Sequence, residues 1–404
     1  MARGRGAREG TAALRILFAF PGGAGHFLPM VPVARAAEVA GHVVAFACQN
    51  AMVATVEEAG FTAFDAGGAS LLAPGVRQPL LLPDAQEEDR AARIAKGAAR
   101  DRERASAVLV LCHEWQPDIV VCDEADFGVV VAAERLGLPY ASVKSTAGGS
   151  VVPSGVVAEQ ANQLRVEHGL PPDPGLEVLR RYLVLVPFPP SLRDPGSPLP
   201  PTAHELRHVS SDLPLDESAF PWLAALSHSD LVYVTLGTIF NQESGDLFER
   251  IVEGVRDLPV NVVATVGRAL DPEVLGPQPP NVHVERYIPQ AQLLPHCRLV
   301  VSHGGSGSVI GALAHCLPMV VIPIGADQPR NARRCEHLRV ARVVHAPEAT
   351  PDLVREAASD VLADPTYRRS AERVRDEIAA LPGPDHAVTL LERLATEREP
   401  LLSG

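Results

Sequence analysis

The segment from Val301 to Leu313, VSHGGSGSVIGAL, decides the fold of the C-terminal half. An apolar strand ends at Ser302, a glycine-rich turn follows, and a helix with an apolar period begins near Ser306. Glycines in such a turn let backbone N–H groups approach an anion, and the helix N-terminus adds partial positive charge. The segment therefore predicts a phosphate site at the carboxyl end of a strand. The alternative is a tight turn whose serines only cap the helix.

Short apolar runs alternate with helical patterns in both halves of the chain. The first half contains LRILFAF, HVVAFAC, DIVVCD and YASVKS; the second contains LVYVTLGT, NVVATVG, VHVERYI, RLVVSHGG, MVVIPIG and ARVVHA. Continuous apolar strands separated by helices indicate parallel sheets covered on both faces. The pattern predicts an α/β protein with two facing, doubly wound, Rossmann-like domains and an interdomain cleft. Ligands of such sheets bind beyond the carboxyl ends of the strands.

Composition changes along the chain set the expected boundaries. We expect a disordered leader at residues 1–13, an N-terminal domain at 14–186, a proline-rich linker at 187–222, a C-terminal domain at 223–383 and a C-terminal helix at 384–404. Packing of that last helix against the first domain is left open. The linker is rich enough in proline to act as a stiff, extended connector.

The charge and cysteine content narrow the class of protein. The formal net charge of −13 argues against nucleic acid and against anionic membrane surfaces. The six cysteines contain no C-x-x-C pair, so we expect reduced, buried thiols. No stretch reaches the roughly 18 apolar residues of a membrane span. We expect a cytoplasmic protein with no nucleic-acid or membrane partner.

A candidate base lies in the segment from Pro21 to Phe27, PGGAGHF, which follows the first strand. A neutral histidine accepts protons well at physiological pH, and a helix N-terminus would help to keep His26 neutral. Asp123 ends the strand DIVVCD and is the expected carboxylate partner, with Glu124 and Asp126 as alternatives. The competing interpretations are a core or capping histidine and, for Asp123, a helix N-cap.

Three separate pieces of sequence resemble the donor site of GT-B glycosyltransferases: Tyr287-Ile288-Pro289-Gln290, His303-Gly304-Gly305, and Asp327-Gln328 with Asn331. Within this group the chain is similar to the bacterial family 1 enzymes that decorate antibiotics and other natural products, including calicheamicin-type and macrolide enzymes. The resemblance covers nearly the whole chain. It implies an acceptor-binding N-terminal domain, a nucleotide-sugar-binding C-terminal domain, and direct displacement with inversion at the anomeric carbon.

The resemblance also implies roles for individual residues. Tyr287 would stack on the nucleobase, and the Ile288 backbone and Gln290 side chain would hold base and ribose. The diphosphate would be bound by residues of two glycine-containing loops: Gly237, Thr238, His303, Gly305, Ser306, Gly307 and Ser308. Asp327 and Gln328 would bind hydroxyls of the sugar, although a polar turn is the alternative for this pair. His26 would be the general base, Asp123 its orienting partner, and Phe27 and Gly148 would contact the acceptor.

The chain departs from the family pattern at Gly311, eight residues after His303. Many members carry a glutamate there that binds ribose hydroxyls. A site without this carboxylate loses an interaction with ribose hydroxyls. Deoxyribose has fewer of these hydroxyls, so a deoxyribose donor is less affected by the loss. We therefore expect a dTDP-sugar donor in preference to a UDP-sugar.

The predicted function is metal-independent transfer of a sugar, such as a deoxysugar, to a hydroxyl of a small natural-product aglycone such as a polyketide or enediyne. No pair of aspartates has D-x-D spacing, so we expect no metal and no cofactor besides the donor substrate. The alternatives are a nucleotide-sugar epimerase on the same fold and a catalytically degenerate, nucleotide-binding partner subunit. The acceptor, the sugar and a homodimer remain open. Acceptor choice is expected to reside in the loops at 66–104 and 145–179, the second of which contains the glycines of a mobile lid.

Overall fold

A computed structural model of the chain describes residues 12–68, 78–80, 83–149, 156–210, 222, 230–238, 240–268 and 270–403. Residues 1–11 of the predicted leader, most of 211–229 and parts of both predicted acceptor loops lie outside the described residues. No helix among the described residues is long and apolar enough to cross a membrane.

The first half contains seven of the described strands. They are β1 (Arg15–Ala19), β2 (Val43–Cys48), β3 (Thr62–Asp65), β4 (Ile119–Asp123), β5 (Tyr140–Val143), β6 (Leu183–Val186) and β7 (Ala203–Glu205). They form one parallel sheet in the order β3-β2-β1-β4-β5-β6-β7. The central strands β1 and β4 are almost wholly buried, which explains their continuous apolar sequences.

The helices of this half are α1 (Ala24–Phe27), α2 (Val31–Val39), α3 (Asn50–Glu58), α4 (Pro83–Trp115), α5 (Phe127–Leu136) and α6 (Val156–Glu167). Local chemistry sets the ends of α5. Asp126 caps its N-terminus by accepting a hydrogen bond from the Val129 N–H at 3.4 Å. Gly137 ends it in the left-handed region at φ 64°. These caps hold the start of α5 directly behind the carboxyl end of β4.

The second half repeats the arrangement. Its described strands are β8 (Leu231–Thr235), β9 (Asn261–Thr265), β10 (Val282–Glu285), β11 (Leu299–Ser302), β12 (Met319–Val321) and β13 (Ala341–Val343). They form a parallel sheet in the order β10-β9-β8-β11-β12-β13. Its helices are α7 (Leu247–Val255), α8 (Gln290–Leu293), α9 (Ser306–Ala314), α10 (Gln328–His337), α11 (Pro351–Ala363) and α12 (Pro365–Ala380). The prediction of two Rossmann-like, doubly wound units is confirmed.

The last helix, α13 (Pro384–Glu397), returns to the first sheet unit. Its buried residues Ala387, Val388, Leu391 and Leu394 belong to the same apolar cluster as β1, β2 and α2. By contrast, α12 packs its buried side chains into the cluster around β11 and α9. The chain therefore crosses between the two units immediately before α13, in addition to its crossing between β7 and β8.

Candidate active site

In both sheets the strand order reverses beside the first strand of the unit. β1 lies between β2 and β4, and β8 lies between β9 and β11. His26 follows β1 and Asp123 ends β4, while Gly237 follows β8 and His303 follows β11. Crevices at such reversals, outside the carboxyl ends of the strands, are the usual ligand sites of doubly wound sheets. The predicted catalytic and phosphate-binding residues thus occupy equivalent positions in the two units.

His26 and Asp123 form a close pair. His26 Nδ1 lies 3.0 Å from Asp123 Oδ2, and the aspartate side chain is only 1% exposed. Asp123 Oδ1 accepts a hydrogen bond from the Ala125 N–H at 2.8 Å, which fixes the carboxylate. A proton on Nδ1 directed at this carboxylate leaves Nε2 as an acceptor. Gly22, at φ 81°, supplies the space for the ring, because a Cβ there would lie 3.2 Å from His26 Cδ2.

The two alternative partners of His26 are bound elsewhere. Asp126 and Arg104 are fully buried and form an ion pair, with 2.6 Å between Oδ2 and Nη2. Asp126 is also the N-cap of α5, the role that was the alternative for Asp123. Glu124 accepts hydrogen bonds from residues 144–146. Asp123 is therefore the carboxylate that the structure brings to His26.

The expectation that a helix dipole keeps His26 neutral is wrong. The helix α1 has only four residues, about one turn, so its dipole is small. Burial lowers the pKa of His26, but the charge and hydrogen bond of Asp123 outweigh burial and hold that pKa above its ordinary value. Arg100 lowers the pKa of His26 and Glu124 raises it, both to a smaller extent. The pKa of His26 is thus governed by the Asp123 carboxylate and by burial.

His303 has a different environment. Its ring is 7% exposed, and burial lowers its pKa to about 4 against the opposing charge of Asp327. The Thr235 backbone also favours the charged ring slightly, but within the described residues Nδ1 makes no hydrogen bond of good geometry. Cβ atoms at Gly237 and Gly305 would lie 2.6 Å and 2.5 Å from His303 Nε2. Only glycine fits at these two positions, and Gly237 is also in the left-handed region at φ 77°.

The other predicted diphosphate ligands divide into two groups. Thr238 and Gly307 are exposed at the carboxyl edge of the sheet, and Ser308 is buried at the start of α9. Ser306 is already engaged: its hydroxyl donates to Asp327 Oδ2 at 2.6 Å and accepts from the Ala147 N–H at 2.8 Å. The structure therefore places the Ser306 hydroxyl in a protein network instead of leaving it available to a phosphate.

The predicted sugar-binding pair is also partly engaged. Asp327 Oδ2 accepts hydrogen bonds from Ser306 and, at 2.8 Å, from Asn331 Nδ2. Gln328 is 1% exposed, and its Oε1 accepts from the backbone N–H groups of Ile324 at 2.7 Å and Gly325 at 3.0 Å. The side-chain carbonyl of Gln328 thus holds the turn after β12, and the contact of Gln328 with the sugar stays a prediction.

At the predicted nucleobase site, Tyr287 is 39% exposed. The guanidinium carbon of Arg268 lies 4.1 Å from the centre of its ring, a cation–π contact that covers one face. Nothing in the sequence pattern indicated Arg268, because the contact joins loops after two different strands. A base that stacks on Tyr287 has to use the opposite face or displace the arginine. Ile288 is buried at 1% exposure, so only its backbone is suited to contact a ligand.

Gln290 turns toward the space left by Gly311. A Cβ at Gly311 would lie 3.4 Å from Gln290 Oε1 and 3.3 Å from Leu294 Cδ1. The Gln290 amide is also close to the hydroxyl of Tyr233, which is buried in β8. The glutamine predicted to hold base and ribose is thus directed inward, into the slot that a larger residue at 311 would occupy.

The two predicted acceptor residues make contacts within the protein. Phe27 is 1% exposed and packs against Phe20 and Phe46, with ring centres 5.4 Å and 5.2 Å away, so its side chain lies in the core and not at an acceptor surface. Gly148 donates its N–H to Asn331 Oδ1 at 2.9 Å and so contacts the second unit; its contact with an acceptor stays a prediction.

Asn331 is a residue whose importance the sequence did not reveal. It belongs to the quoted motif, yet no role was assigned to it; in the structure it is 2% exposed and hydrogen-bonded to both units. The glycine at position 148 was the sequence feature that could have indicated this contact, because only glycine permits so close an approach of the two units. Among the described residues no cluster of three or more histidine, cysteine or carboxylate side chains has the geometry of a metal site.

Comparisons with known proteins agree with this architecture. Residues 249–394 match the family model described as "Erythromycin biosynthesis protein CIII-like, C-terminal domain". The chain is 31% identical to 4'-demethylrebeccamycin synthase of Lentzea aerocolonigenes, across 94% of this chain and 99% of that protein. It is 29% identical to TDP-daunosamine transferase DnrS of Streptomyces peucetius, across 94% and 96% of the two chains. The glycosyltransferase SnogD from Streptomyces nogalater superposes with a TM-score of 0.73 at 25% identity, covering 95% of this chain and 99% of that structure.

The fold and the paired sites define a two-domain sugar transferase of the GT-B class. The chain belongs to the GT-B glycosyltransferases of natural-product biosynthesis, and the family and enzyme class predicted from the sequence are confirmed.

Proposed function

We propose that the chain is an inverting glycosyltransferase that moves a sugar from a dTDP-sugar to a hydroxyl of a natural-product aglycone, with His26 as the general base. The observation that carries this proposal is the His26–Asp123 pair at the strand-order reversal of the first sheet, with the glycine-rich loop at the equivalent position of the second. Class membership supports sugar transfer in general, and the pair supports the particular mechanism.

In the proposed reaction the acceptor O–H gives its proton to His26 Nε2. The acceptor oxygen forms a bond to the anomeric carbon while the bond from that carbon to the diphosphate oxygen breaks. The diphosphate leaves with the electron pair. His303 and the backbone N–H groups at the start of α9 stabilise its charge, because they are donors already oriented toward the place where the charge develops. Asp123 stabilises the imidazolium that forms.

The donor preference rests on Gly311 and its neighbours. The slot that a glutamate would occupy is filled by the side chains of Gln290 and Leu294. No carboxylate stands there to bind a ribose 2′-hydroxyl, so a deoxyribose donor loses nothing relative to a ribose donor. The name of the related DnrS, which refers to a TDP-sugar, agrees with this preference. DnrS and SnogD are named as transferases, which favours sugar transfer over the epimerase and partner-subunit alternatives.

The test is the melting-temperature shift produced by dTDP, UDP and NAD⁺ at matched concentrations. A ligand that binds only the folded state adds about 2.7 kcal/mol of stability at a hundred times its dissociation constant. We expect a larger shift with dTDP than with UDP, and none with NAD⁺. An equal or larger UDP shift would reject the donor preference and leave the transferase intact. A shift with NAD⁺ alone would reject the donor site.

Activity is then measured as dTDP release from dTDP-glucose in the presence of a panel of hydroxylated polycyclic acceptors. Release that depends on the acceptor identifies transfer, whereas consumption or isomerisation of dTDP-glucose without acceptor identifies the epimerase alternative.

A further inference from the structure

A short segment after β5, residues 144–148, connects the two predicted sites. We refer to it as the strap. At one end it is bound to Glu124, whose carboxylate accepts from Lys144 Nζ at 2.5 Å and from Thr146 Oγ1 at 2.6 Å. The backbone N–H groups of Ser145 and Thr146 also donate to Glu124, each at 3.1 Å. Glu124 directly follows Asp123, so the strap is fixed next to the carboxylate that holds His26.

The other end of the strap is bound to the glycine-rich loop of the second unit. The Ala147 N–H donates to Ser306 Oγ at 2.8 Å, and the Gly148 N–H donates to Asn331 Oδ1 at 2.9 Å. A Cβ at Gly148 would lie 2.8 Å from Asn331 Oδ1 and 3.2 Å from Arg330 Cβ. The two units therefore approach each other here at a distance that only glycine allows.

Asn331 distributes this contact over the donor loop. Its Nδ2 donates to the Gly304 carbonyl at 2.9 Å, to Asp327 Oδ2 at 2.8 Å and to Ser306 Oγ at 3.1 Å. The Ser306 hydroxyl has one hydrogen, which it donates to Asp327, and its lone pairs receive Ala147 and Asn331. The hydrogen-bonding capacity of this hydroxyl is therefore filled by one contact from the first unit and two within the second.

We propose that the strap sets the position of His26 relative to the donor diphosphate, with Glu124 and Asn331 as the positioning residues at its two ends. This inference rests on the proposed function, since it assigns His26 and the donor loop to one reaction. Neither positioning residue touches the reacting atoms in this scheme. Each acts through the path from Asp123 and Glu124, along residues 144–148, to Asn331 and the loop at 303–306.

The physical basis is orientation. A base and a leaving group carried by two separate units react only when both are held in the attacking geometry, and a displacement of about 1 Å can cost about 100-fold in rate. Backbone hydrogen bonds from a segment bound at both ends fix such a distance better than flexible side chains do. The strap should therefore contribute to kcat and much less to the affinity for free dTDP.

The first test is Gly148→Ala, which adds no polar group and places a methyl group against Asn331 and Arg330 of the second unit, so that the units must move apart. We expect kcat to fall at least about tenfold while the Kd for dTDP, measured by calorimetry, changes less than about twofold. Gly97→Ala is the matched control, because a Cβ there would come no nearer than 4.0 Å to Arg100 Nη2. A kcat equal to that of the wild type would overturn the proposal. A loss of dTDP affinity as large as the loss of kcat would also overturn it, by making residues 144–148 part of the donor site.

A double-mutant cycle sharpens the test. The Asn331→Ala variant lacks the Oδ1 atom that would clash with the methyl group of Gly148→Ala. In that background, adding Gly148→Ala should therefore lower kcat less than about threefold. Full additivity of the two losses would contradict a direct contact in solution.

Glu124→Gln is the second variant if Gly148→Ala proves unstable by thermal melting. It should lower kcat and retain the dTDP Kd, and an unchanged kcat would overturn the proposal. Failure of the proposed function is recognised separately, by normal turnover of His26→Ala or by the absence of a dTDP shift in the wild type.

Discussion

The two histidines at the strand-order reversals, His26 and His303, occupy equivalent places in similar sheets and have opposite electrostatic settings. His26 lies 3.0 Å from a buried carboxylate, and its pKa is raised. His303 is enclosed by the glycines at 237 and 305, and burial lowers its pKa to about 4. The first ring is prepared to receive a proton and carry the resulting charge. The second remains neutral and is suited to donate a hydrogen bond to an anion. The pKa of each histidine is thus decided by its immediate surroundings, a carboxylate for His26 and burial for His303, and not by its position in the fold.

The largest expected effect is that of removing the base. His26→Ala should lower kcat at least about 100-fold, the lower range of general-base contributions, while sparing the affinity for dTDP. The measurement is steady-state turnover of dTDP-glucose together with calorimetric titration of dTDP. His345→Ala, which removes an exposed histidine of the second unit, is the control. Unchanged turnover in His26→Ala would contradict the assignment of the base.

Substitution of His303 should show the reverse pattern, with its main effect on dTDP binding. A hydrogen bond to a charged group contributes about 1.5–3 kcal/mol, so His303→Ala should weaken dTDP binding roughly tenfold or more. Because the pKa of His303 is about 4, the ring is neutral from about pH 6 to 8 and dTDP affinity should not gain from ring protonation in that range. The measurement is the dTDP Kd at several pH values in wild type and variant. An affinity that rises on acidification in the wild type and not in the variant would show that His303 binds as an imidazolium.

Asp123→Asn removes the electrostatic difference between His26 and His303, because it gives His26 a neutral partner. The base is active when neutral, so the rate rises with pH through the pKa of His26, and in the wild type this rise should lie above the ordinary histidine value. Without the carboxylate, burial dominates and the pKa of His26 falls, so the rise should move to lower pH. The plateau rate should also fall on the order of tenfold, because the imidazolium that forms during transfer loses the carboxylate that stabilises it. The pH profile of kcat measures both the position of the rise and the plateau rate. A rise at the same pH in Asp123→Asn as in the wild type would reject Asp123 as the partner.

The smallest effect is expected at Arg100, whose charge lowers the pKa of His26 less than Asp123 raises it. Arg100→Gln removes this charge, so the pKa of His26 should rise and the acidic limb of the kcat profile should move to higher pH. Arg102→Gln, at an exposed site paired with Glu167, is the control. A shift to lower pH in Arg100→Gln would contradict the electrostatic account.

The sequence predicted the site best where a single segment contains both the backbone elements and the functional side chains. The run at 301–313 contains its strand, its turn and its helix start, so the loop at His303 was predictable from local sequence. Asp123 was predictable because it ends a buried strand. The burial of Phe27 in the core and the contact of Gly148 with Asn331 were not predicted, because both depend on which distant element each residue faces. Whether Phe27 meets the core or the cleft is not a property of the segment that contains it.

The sequence by itself determined the two-unit α/β architecture, the family, and the residues that cluster at the carboxyl edges of the two sheets. Burial of continuous apolar strands and the backbone freedom of glycine are local properties, and they leave a readable pattern. Only the tertiary structure decided that Asp123 and not Glu124 or Asp126 holds His26, that the pKa values of His26 and His303 shift in opposite directions, and that residues 144–148 join the two units. These outcomes depend on distances of about 3 Å between residues far apart in the chain, and on desolvation that exists only once the units have packed.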